Sequence, residues 1–273
     1  MKGEILITGA TGLIGGEIAL RLMQAGWRVW SVVRSSTFGE AAACLERRFA
    51  LSGKRCDWSR LVAVPGSVTA SLMGINSATL ERLRGHCRFV IHCAAETSFA
   101  VDSRCCELNV LGTGNAVALS AELGPQAKLL QMSSAVVCTS PEGGLIDETA
   151  PHGGYVNEYV RSKRLCEELV VRSEVESAIL RPSIVLSHGL AARKFARSVL
   201  WFLPVVRVLG ILPLHGNERI DAVSVGFVAD AIVVVVAVAG VADAVVVAIF
   251  LIGIRHLGTV VVAVGNAVIV GVV

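Results

Sequence analysis

The stretch Thr8-Gly9-Ala10-Thr11-Gly12-Leu13-Ile14-Gly15 follows a short apolar run at residues 5–7 and precedes residues 17–23, whose apolar side chains recur with helical period. Strand, glycine-rich turn and helix form the entry unit of a dinucleotide-binding fold. The first glycine permits a tight turn, the second lets the backbone approach a pyrophosphate, and the third lets the helix pack close to the sheet. The N–H groups and dipole of the helix then face the phosphates. The alternative is a tight turn without a ligand.

The length and composition of the chain limit the classes of function. With 273 residues there is room for one large domain, or for one domain with a small appended lobe. The formal net charge of +3 and the aromatic fraction of 5% give no basis for a nucleic-acid partner. The first strand is expected to begin almost at Met1, which leaves no room for a signal peptide. A homodimer is compatible with these features.

The cysteines indicate the redox environment of the protein. The chain has eight of them, scattered without a Cys-x-x-Cys pair and without the His/Cys spacing of a metal site. This pattern predicts reduced thiols, no bound metal and a cytoplasmic location.

Strand and helix patterns alternate along the first two thirds of the chain. After the first strand, apolar runs predict strands at residues 29–33, 61–66, 88–95, 128–132 and 177–180. Helical patterns lie between them at residues 39–51, 76–85, 107–123 and 155–172. Asn76 is a candidate N-cap, and Arg47 and Arg48 are expected on a solvated helix face. The alternation predicts an α/β fold with a doubly wound parallel sheet of the Rossmann type.

Three regions follow from this pattern. We expect the dinucleotide-binding domain with the catalytic residues at residues 1–182. Elements of a small C-terminal substrate lobe are expected at residues 183–230, and a tail rich in valine and alanine at residues 231–273.

Two strand ends carry features that suit a dinucleotide. Arg34 ends the second predicted strand, beside the expected adenosine ribose, where an acidic residue would favour NAD and an arginine can hold a 2′-phosphate. Arg34 therefore predicts NADP, and the alternative is an exposed arginine at a strand end. The fourth strand runs into Ala94 and Ala95, small residues against which a flat cofactor can lie. His92, within that apolar strand, is expected to be packed and hydrogen-bonded rather than catalytic.

The candidate catalytic residues lie on the helix at residues 155–172. The chain has only two tyrosines, Tyr155 and Tyr159, and Tyr159 is followed four residues later by Lys163. At this spacing two side chains share a helix face, and a nearby ammonium is expected to lower the pKa of the phenol from about 10. Ser134, at the end of the fifth strand, could polarise a substrate carbonyl. Tyr-x-x-x-Lys also occurs by chance in helices, but chance is a poor explanation after a glycine-rich first turn.

Together these motifs resemble the extended short-chain dehydrogenase/reductases. The resemblance is carried by the glycine stretch, His92-Cys93-Ala94-Ala95, Asn109-Val110-Leu111-Gly112-Thr113, Ser133-Ser134-Ala135, Tyr159 with Lys163, and Arg181-Pro182-Ser183. Within that family the chain is most similar to the thioester reductase and fatty-acyl reductase branch, through residues 90–99 and 219–223. The resemblance implies an NADPH-dependent reductase that transfers hydride to a carbonyl or to an acyl thioester, either acyl-CoA or carrier-bound, to give an aldehyde or alcohol.

The resemblance also implies roles for individual residues. Ser134, Tyr159 and Lys163 would form the catalytic triad, with Tyr159 donating a proton to the carbonyl oxygen and Asn109 as a supporting polar residue. Arg34 matches a position where the branch often carries arginine, which again favours NADP over NAD. The residues expected to bind the cofactor are Gly9, Thr11, Gly12, Leu13, Ile14, Gly15, Arg34, Ala94, Ala95, Lys163 and Pro182.

The chain departs from the family pattern at two places. Gly66-Ser67 stands where the family usually has Gly-Asp, whose carboxylate reaches the adenine. Residues 223–228 read VSVGFV where the family usually reads VPVDYV.

The tail has three open interpretations. From Ile232 onward the only ionisable side chains are Asp243, Arg255 and His256. Residues 231–254 are long enough to span a bilayer, although Asp243 would cost about 2.5–3.5 kcal/mol there. The tail is therefore a buried soluble segment with a helix at 228–238 and a strand near 247–252, a membrane attachment, or a sequence foreign to the fold that arose from a shifted reading frame or an uncertain sequence.

Two other function classes use the same fold. A sugar-nucleotide epimerase or dehydratase employs the same triad but keeps its cofactor bound. A cofactor-sensing protein binds the dinucleotide without turnover, and such proteins often lose the tyrosine that this chain keeps. The sequence therefore favours a reductase.

Overall fold

A computed structural model describes residues 2–50, 52–53, 56–99, 104–138, 157–187, 208, 222–238, 259–264 and 267–272. The main sheet consists of six strands: β1 (Glu4–Thr8), β2 (Arg28–Arg34), β3 (Leu61–Gly66), β4 (Cys87–His92), β5 (Lys128–Met132) and β6 (Ser177–Leu180). Their order is β3-β2-β1-β4-β5-β6, and every pair is parallel. The order reverses between β1 and β4, which is the place where open sheets of this kind form a ligand crevice.

Five helices lie in the described part of the chain that forms this sheet: α1 (Leu13–Gln24), α2 (Phe38–Ala50), α3 (Ser77–Leu83), α4 (Cys105–Leu123) and α5 (Glu158–Val171). The prediction of a doubly wound α/β fold is confirmed. Asn76 is the N-cap of α3, and its side-chain oxygen accepts a hydrogen bond of 2.9 Å from the N–H of Thr79. The predicted fourth strand is three residues too long, because it ends at His92 and Cys93–Ala95 lie in the following loop.

The burial of β1 shows why both faces of the sheet are covered. Ile5 and Ile7 belong to a core cluster formed with α1, α2 and a later helix, whereas Leu6 belongs to a second cluster formed with α3, α4 and α5. All three side chains are fully buried. Successive residues of a strand point to opposite faces, so a continuous apolar run is required where both faces pack against helices.

The C-terminal part adds further elements. Strand β7 (Ile184–Leu186) pairs in parallel with β8 (Ala222–Ser224), and β8 leads directly into α6 (Val225–Val238). Strands β9 (Thr259–Val264) and β10 (Ala267–Val272) form an antiparallel pair that the sequence analysis did not predict. The strand predicted near residues 247–252 lies outside the described residues, as does most of the predicted substrate lobe.

Helix α6 confirms the helix that was predicted at residues 228–238 and begins three residues earlier. Val228, Ile232 and Val235 are fully buried in the cluster that also contains side chains of α1. Asp230 of α6 forms an ion pair with Arg21 of α1. Valine is a modest helix former, so tertiary packing determines the conformation here. Ala231, Ile232, Val235 and Val236 therefore belong to the packed core, as the interpretation of the tail as a buried segment requires.

None of the helices in the described part of the chain is both long enough and apolar enough to cross a membrane.

Replacement of Ile232 tests the packing of α6. Because this side chain is fully buried, Ile232→Ala is expected to lower the free energy of unfolding by about 2–5 kcal/mol. The matched control is Val171→Ala, since Val171 is 73% exposed on α5, and this change is expected to stay within about 0.5 kcal/mol. Urea denaturation of the full chain measures both. An Ile232→Ala protein as stable as the wild type would contradict the packing of α6 on α1.

Candidate active site

The glycine-rich turn is built by close backbone contacts. Gly9 has φ +76°, and a Cβ atom at this position would lie 2.7 Å from the backbone nitrogen of Ala94. A Cβ atom on Gly15 would lie 2.5 Å from the carbonyl oxygen of Gly9. Only glycine fits either position. Gly12 caps α1 without a side-chain hydrogen bond, which leaves N–H groups of the first helical turn available to an anion.

Hydrogen bonds of Thr8 connect the end of β1 to the end of β4. The hydroxyl oxygen of Thr8 lies 2.8 Å from Nδ1 of His92, and it accepts a hydrogen bond of 3.2 Å from the N–H of Ala94. Burial, and then the charge of Lys163, lower the pKa of His92 to about 3, so the imidazole is neutral. The predicted packed and hydrogen-bonded role of His92 is confirmed. Ala94 borders the glycine turn as a result, and Ala95, the next residue, is exposed.

Arg48 corrects one expectation. It is only 2% exposed, whereas Arg47 lies on the solvated face as predicted. Its guanidinium donates hydrogen bonds of 2.9 Å to the carbonyl of Gly12 and 3.2 Å to that of Leu13. Burial lowers the pKa of Arg48 and the nearby charge of Glu17 raises it. The burial of Arg48 could have been predicted from helical spacing, because Arg48 lies seven residues after Ala41 and therefore on the same, buried face of α2.

Arg34 lies at the end of β2, opposite Gly66 in the register with β3. Its side chain is exposed, and among the described residues it has no ion-pair partner. It is therefore available to a phosphate at this edge of the sheet. Ser67, which replaces the usual aspartate, hydrogen-bonds to the hydroxyl of Thr69 at 2.9 Å and brings no carboxylate to the adenine side.

The three predicted catalytic residues come together beyond β5 and at the start of α5. Asn157 caps α5 by accepting a hydrogen bond of 2.9 Å from the N–H of Val160, which fixes the turn that carries Tyr159. The side chains of Tyr159 and Ser134 are hydrogen-bonded. Lys163 lies one turn further along, with its Nζ atom 6.0 Å from the centre of the Tyr159 ring.

The electrostatics of this cluster differ from the sequence-based expectation. Burial raises the pKa of Tyr159 to about 12, against the opposite effect of the hydrogen bond with Ser134. Burial also lowers the pKa of Lys163, whose Nζ atom donates a hydrogen bond of 2.9 Å to the carbonyl of Met132. The expected lowering of the tyrosine pKa is therefore wrong for this structure, because desolvation raises the pKa of the phenol and outweighs the lowering by the hydrogen bond with Ser134. A phenol with a raised pKa keeps its proton at neutral pH.

Asn109 contacts the loop after β4 rather than the three clustered side chains. Its Oδ1 atom accepts a hydrogen bond of 2.7 Å from the N–H of Glu96, and its Nδ2 atom donates bonds of 2.9 Å to the carbonyl of Glu96 and to the hydroxyl of Ser162. Ser162 in turn donates a bond of 2.7 Å to the carbonyl of Tyr159. Asn109 thus connects that loop to the turn of α5 that carries the tyrosine.

Two residues after β6 hold the same region from the other side. The carbonyl of Pro182 accepts a hydrogen bond of 2.9 Å from the N–H of Ala135, directly after Ser134. Arg181 binds both carboxylate oxygens of Glu167 at 3.0 and 2.7 Å. Glu167 lies one turn beyond Lys163 on α5, so this buried ion pair fixes α5 to the end of the sheet. Glu167 was not predicted from the sequence, although its spacing of four residues from Lys163 places both side chains on one helix face.

The residues present fit a dinucleotide. The glycine turn, the uncapped start of α1 and the small residues after β4 form a cradle at the strand-order reversal. Of the other residues predicted to bind the cofactor, Thr11 is exposed, and Leu13 and Ile14 are half-buried in the first turn of α1. The buried Lys163 and the exposed Arg34 border the same carboxyl edge of the sheet.

Comparisons with known proteins agree with this geometry. Residues 7–232 match the model of an NAD-binding family described as "Male sterility protein". The adenylate-forming reductase Nps11 of Serpula lacrymans is 27% identical over 231 residues, which are 77% of this chain and 20% of that protein. Human fatty acyl-CoA reductase 1 is 25% identical over 223 residues, which are 67% of this chain and 43% of that protein. The chain thus spans less than half the length of these relatives.

A solved structure supports the fold assignment. The terminal R domain of the myxalamid PKS-NRPS biosynthetic pathway superimposes with a TM-score of 0.70 at 25% identity, covering 85% of this chain and 61% of that domain.

Proposed function

The chain belongs to the male sterility protein family of extended short-chain dehydrogenase/reductases, which are NAD(P)-dependent oxidoreductases. On this premise we propose that it reduces acyl thioesters with NADPH. The acyl group would be carried by coenzyme A or by a carrier-protein pantetheine, and the product would be an aldehyde or alcohol. The observation that carries the proposal is the clustering of Tyr159 with Ser134 and Lys163: the phenol is hydrogen-bonded to Ser134, and Nζ of Lys163 lies 6.0 Å from the centre of the Tyr159 ring.

Several residues would hold the cofactor. The first-turn N–H groups of α1 would bind the pyrophosphate, Lys163 would hold a ribose hydroxyl, and Ala94 would lie against the flat ring system. When bound, the dinucleotide supplies a hydride for the carbonyl carbon.

Side chains of the protein would bind and protonate the oxygen of that carbonyl. Ser134 would orient it by a hydrogen bond from its hydroxyl. Tyr159 holds a proton at its phenol oxygen, because burial raises its pKa to about 12, and would give that proton to the oxygen as negative charge develops. Met132 holds the ammonium of Lys163 through its carbonyl, so the lysine stays near the phenol and would stabilise the phenolate left after proton transfer.

The thioester proposal is supported by the relatives rather than by a binding pocket. One relative is named an adenylate-forming reductase, another a fatty acyl-CoA reductase, and the similar solved domain is the terminal R domain of a PKS-NRPS biosynthetic pathway. An epimerase or dehydratase would share the triad but would return the hydride to its substrate. Net consumption of NADPH separates these classes.

Release of a free thiol tests the reaction. We expect the protein to consume NADPH with acyl-CoAs or acyl-pantetheines, and a thiol-reactive dye to report one thiol for each thioester reduced. Aldehydes and sugar nucleotides serve as comparison substrates. NADPH consumption on aldehydes without thiol release from any thioester would point to a plain carbonyl reductase. Turnover of sugar nucleotides without net NADPH consumption would instead support an epimerase.

Arg34 tests the cofactor preference. Because its exposed guanidinium lies at the end of β2, where the adenosine ribose of the cofactor would bind, Arg34→Ala is expected to weaken NADPH binding roughly tenfold or more and to leave NADH binding unchanged. A charge-assisted hydrogen bond of about 1.5–3 kcal/mol accounts for this size. Fluorescence titration measures both affinities, and Arg47→Ala, an exposed arginine on α2, is the control. A wild type that prefers NADH, or an unchanged NADPH affinity in Arg34→Ala, would refute the role of Arg34.

A further inference from the structure

Phe99 is an exposed aromatic residue in direct contact with the proposed catalytic tyrosine. Its side chain is 52% exposed. The rings of Phe99 and Tyr159 pack edge to face, with centroids 5.4 Å apart and an interplanar angle of 84°. One part of Phe99 therefore covers the phenol ring, and the remaining apolar surface faces outward beside the reactive group. Single exposed apolar residues are common, but this one borders the reaction centre.

The loop that carries Phe99 is held in place by buried groups. Asn109 binds both backbone groups of Glu96, as described above. The carboxylate of Glu96 accepts hydrogen bonds of 3.1 Å from the next two backbone N–H groups. The thiol of Cys105, a fully buried residue, donates to the carbonyl of Ser98 at 3.2 Å. An exposed aromatic ring on such a fixed backbone is preorganised for contact with another molecule.

A second exposed apolar side chain borders the same centre. Val136 is 40% exposed in the short 3₁₀ turn that follows Ser134. Each of the two hydrogen-bonded residues thus has an exposed apolar side chain near it. Val136 follows Ser134 by two residues, and Phe99 packs on the ring of Tyr159. A carbonyl bound by the two hydroxyls would place its adjoining carbon chain against this apolar surface.

We propose that Phe99 is a specificity-determining residue that contacts the carbon chain of the acyl group next to the carbonyl, so that the site selects apolar acyl chains over small or polar ones. The proposal rests on the proposed reductase function. Burial of each methylene group against such a surface strengthens binding by about fourfold at most. The selectivity should therefore grow with chain length over the first few carbons.

The test uses unreactive ligands on the full chain. Amide analogues of acyl-pantetheines, in which an N–H group replaces the thioester sulfur and the carbonyl is kept, are titrated by calorimetry with NADP⁺ present; their acyl chains have two to eight carbons. In the wild type, affinity should rise severalfold along the series. Phe99→Ala should flatten this dependence, and Phe99→Leu, which keeps an apolar side chain, should retain part of it. Trp58→Ala is the matched control, because Trp58 is 48% exposed and packs edge to face on Phe49, on the segment before β3. It should leave the dependence unchanged.

The outcomes separate this proposal from the reductase proposal. NADP⁺ affinity within twofold of the wild type shows that Phe99→Ala is folded and that Phe99 does not serve the cofactor. A chain-length dependence that is the same in Phe99→Ala and wild type, or absent from the wild type, overturns the role of Phe99. A fall in NADP⁺ affinity without a change in the dependence also overturns it and makes Phe99 part of the cofactor site. A dependence that requires Phe99, found without turnover of any thioester, supports Phe99 and counts against the reductase proposal.

Discussion

The close contact between the Gly9 turn and the end of β4 is the constraint on which the site depends. No side chain fits at Gly9, because the backbone of Ala94 would lie 2.7 Å from its Cβ atom. The contact is held by Thr8, which binds both the His92 ring and the N–H of Ala94. It brings the start of α1 and the loop after β4 to one place on the sheet. The hydrogen bonds of Thr8 therefore position both the glycine turn and the loop that leads to Phe99.

The second support is the buried polar network around α5. Asn109, Ser162 and the pair of Glu167 with Arg181 hold α5 from both sides. The same burial that fixes Tyr159 and Lys163 disfavours the charged form of each, so the pKa of the phenol rises and that of the ammonium falls. The packing of α5 between other elements thus has two effects on Tyr159 and Lys163. It fixes the positions of their side chains, and it shields them from water, which favours the uncharged form of each. A protonated phenol is the form that a reduction of a carbonyl requires.

The sequence predicted the parts of the molecule that follow local patterns. The six strands of the main sheet lie in predominantly apolar runs, and Asn76 and the glycine stretch carry local chemistry that specifies a cap and a turn. Arg48 was misassigned, because a pair of arginines suggests a solvated face, whereas its buried contacts come from residues 36 and 35 positions earlier. The sign of the pKa change at Tyr159 depends on burial by several elements, which spacing along a helix does not reveal. The β9–β10 pair lies in a valine-rich tail without periodicity, and such a pattern does not separate strand from helix.

The central claim is that Tyr159 is the proton donor for hydride transfer, and a single-turnover measurement with Tyr159→Phe tests it most directly. This change removes one oxygen and keeps the ring that packs against Phe99. With saturating NADPH and an acyl thioester, we expect a hydride-transfer rate at least about a hundredfold below that of the wild type. We also expect NADPH affinity within about twofold of the wild type. A Tyr159→Phe protein that transfers hydride at a rate comparable to the wild type would show that Tyr159 is not the proton donor.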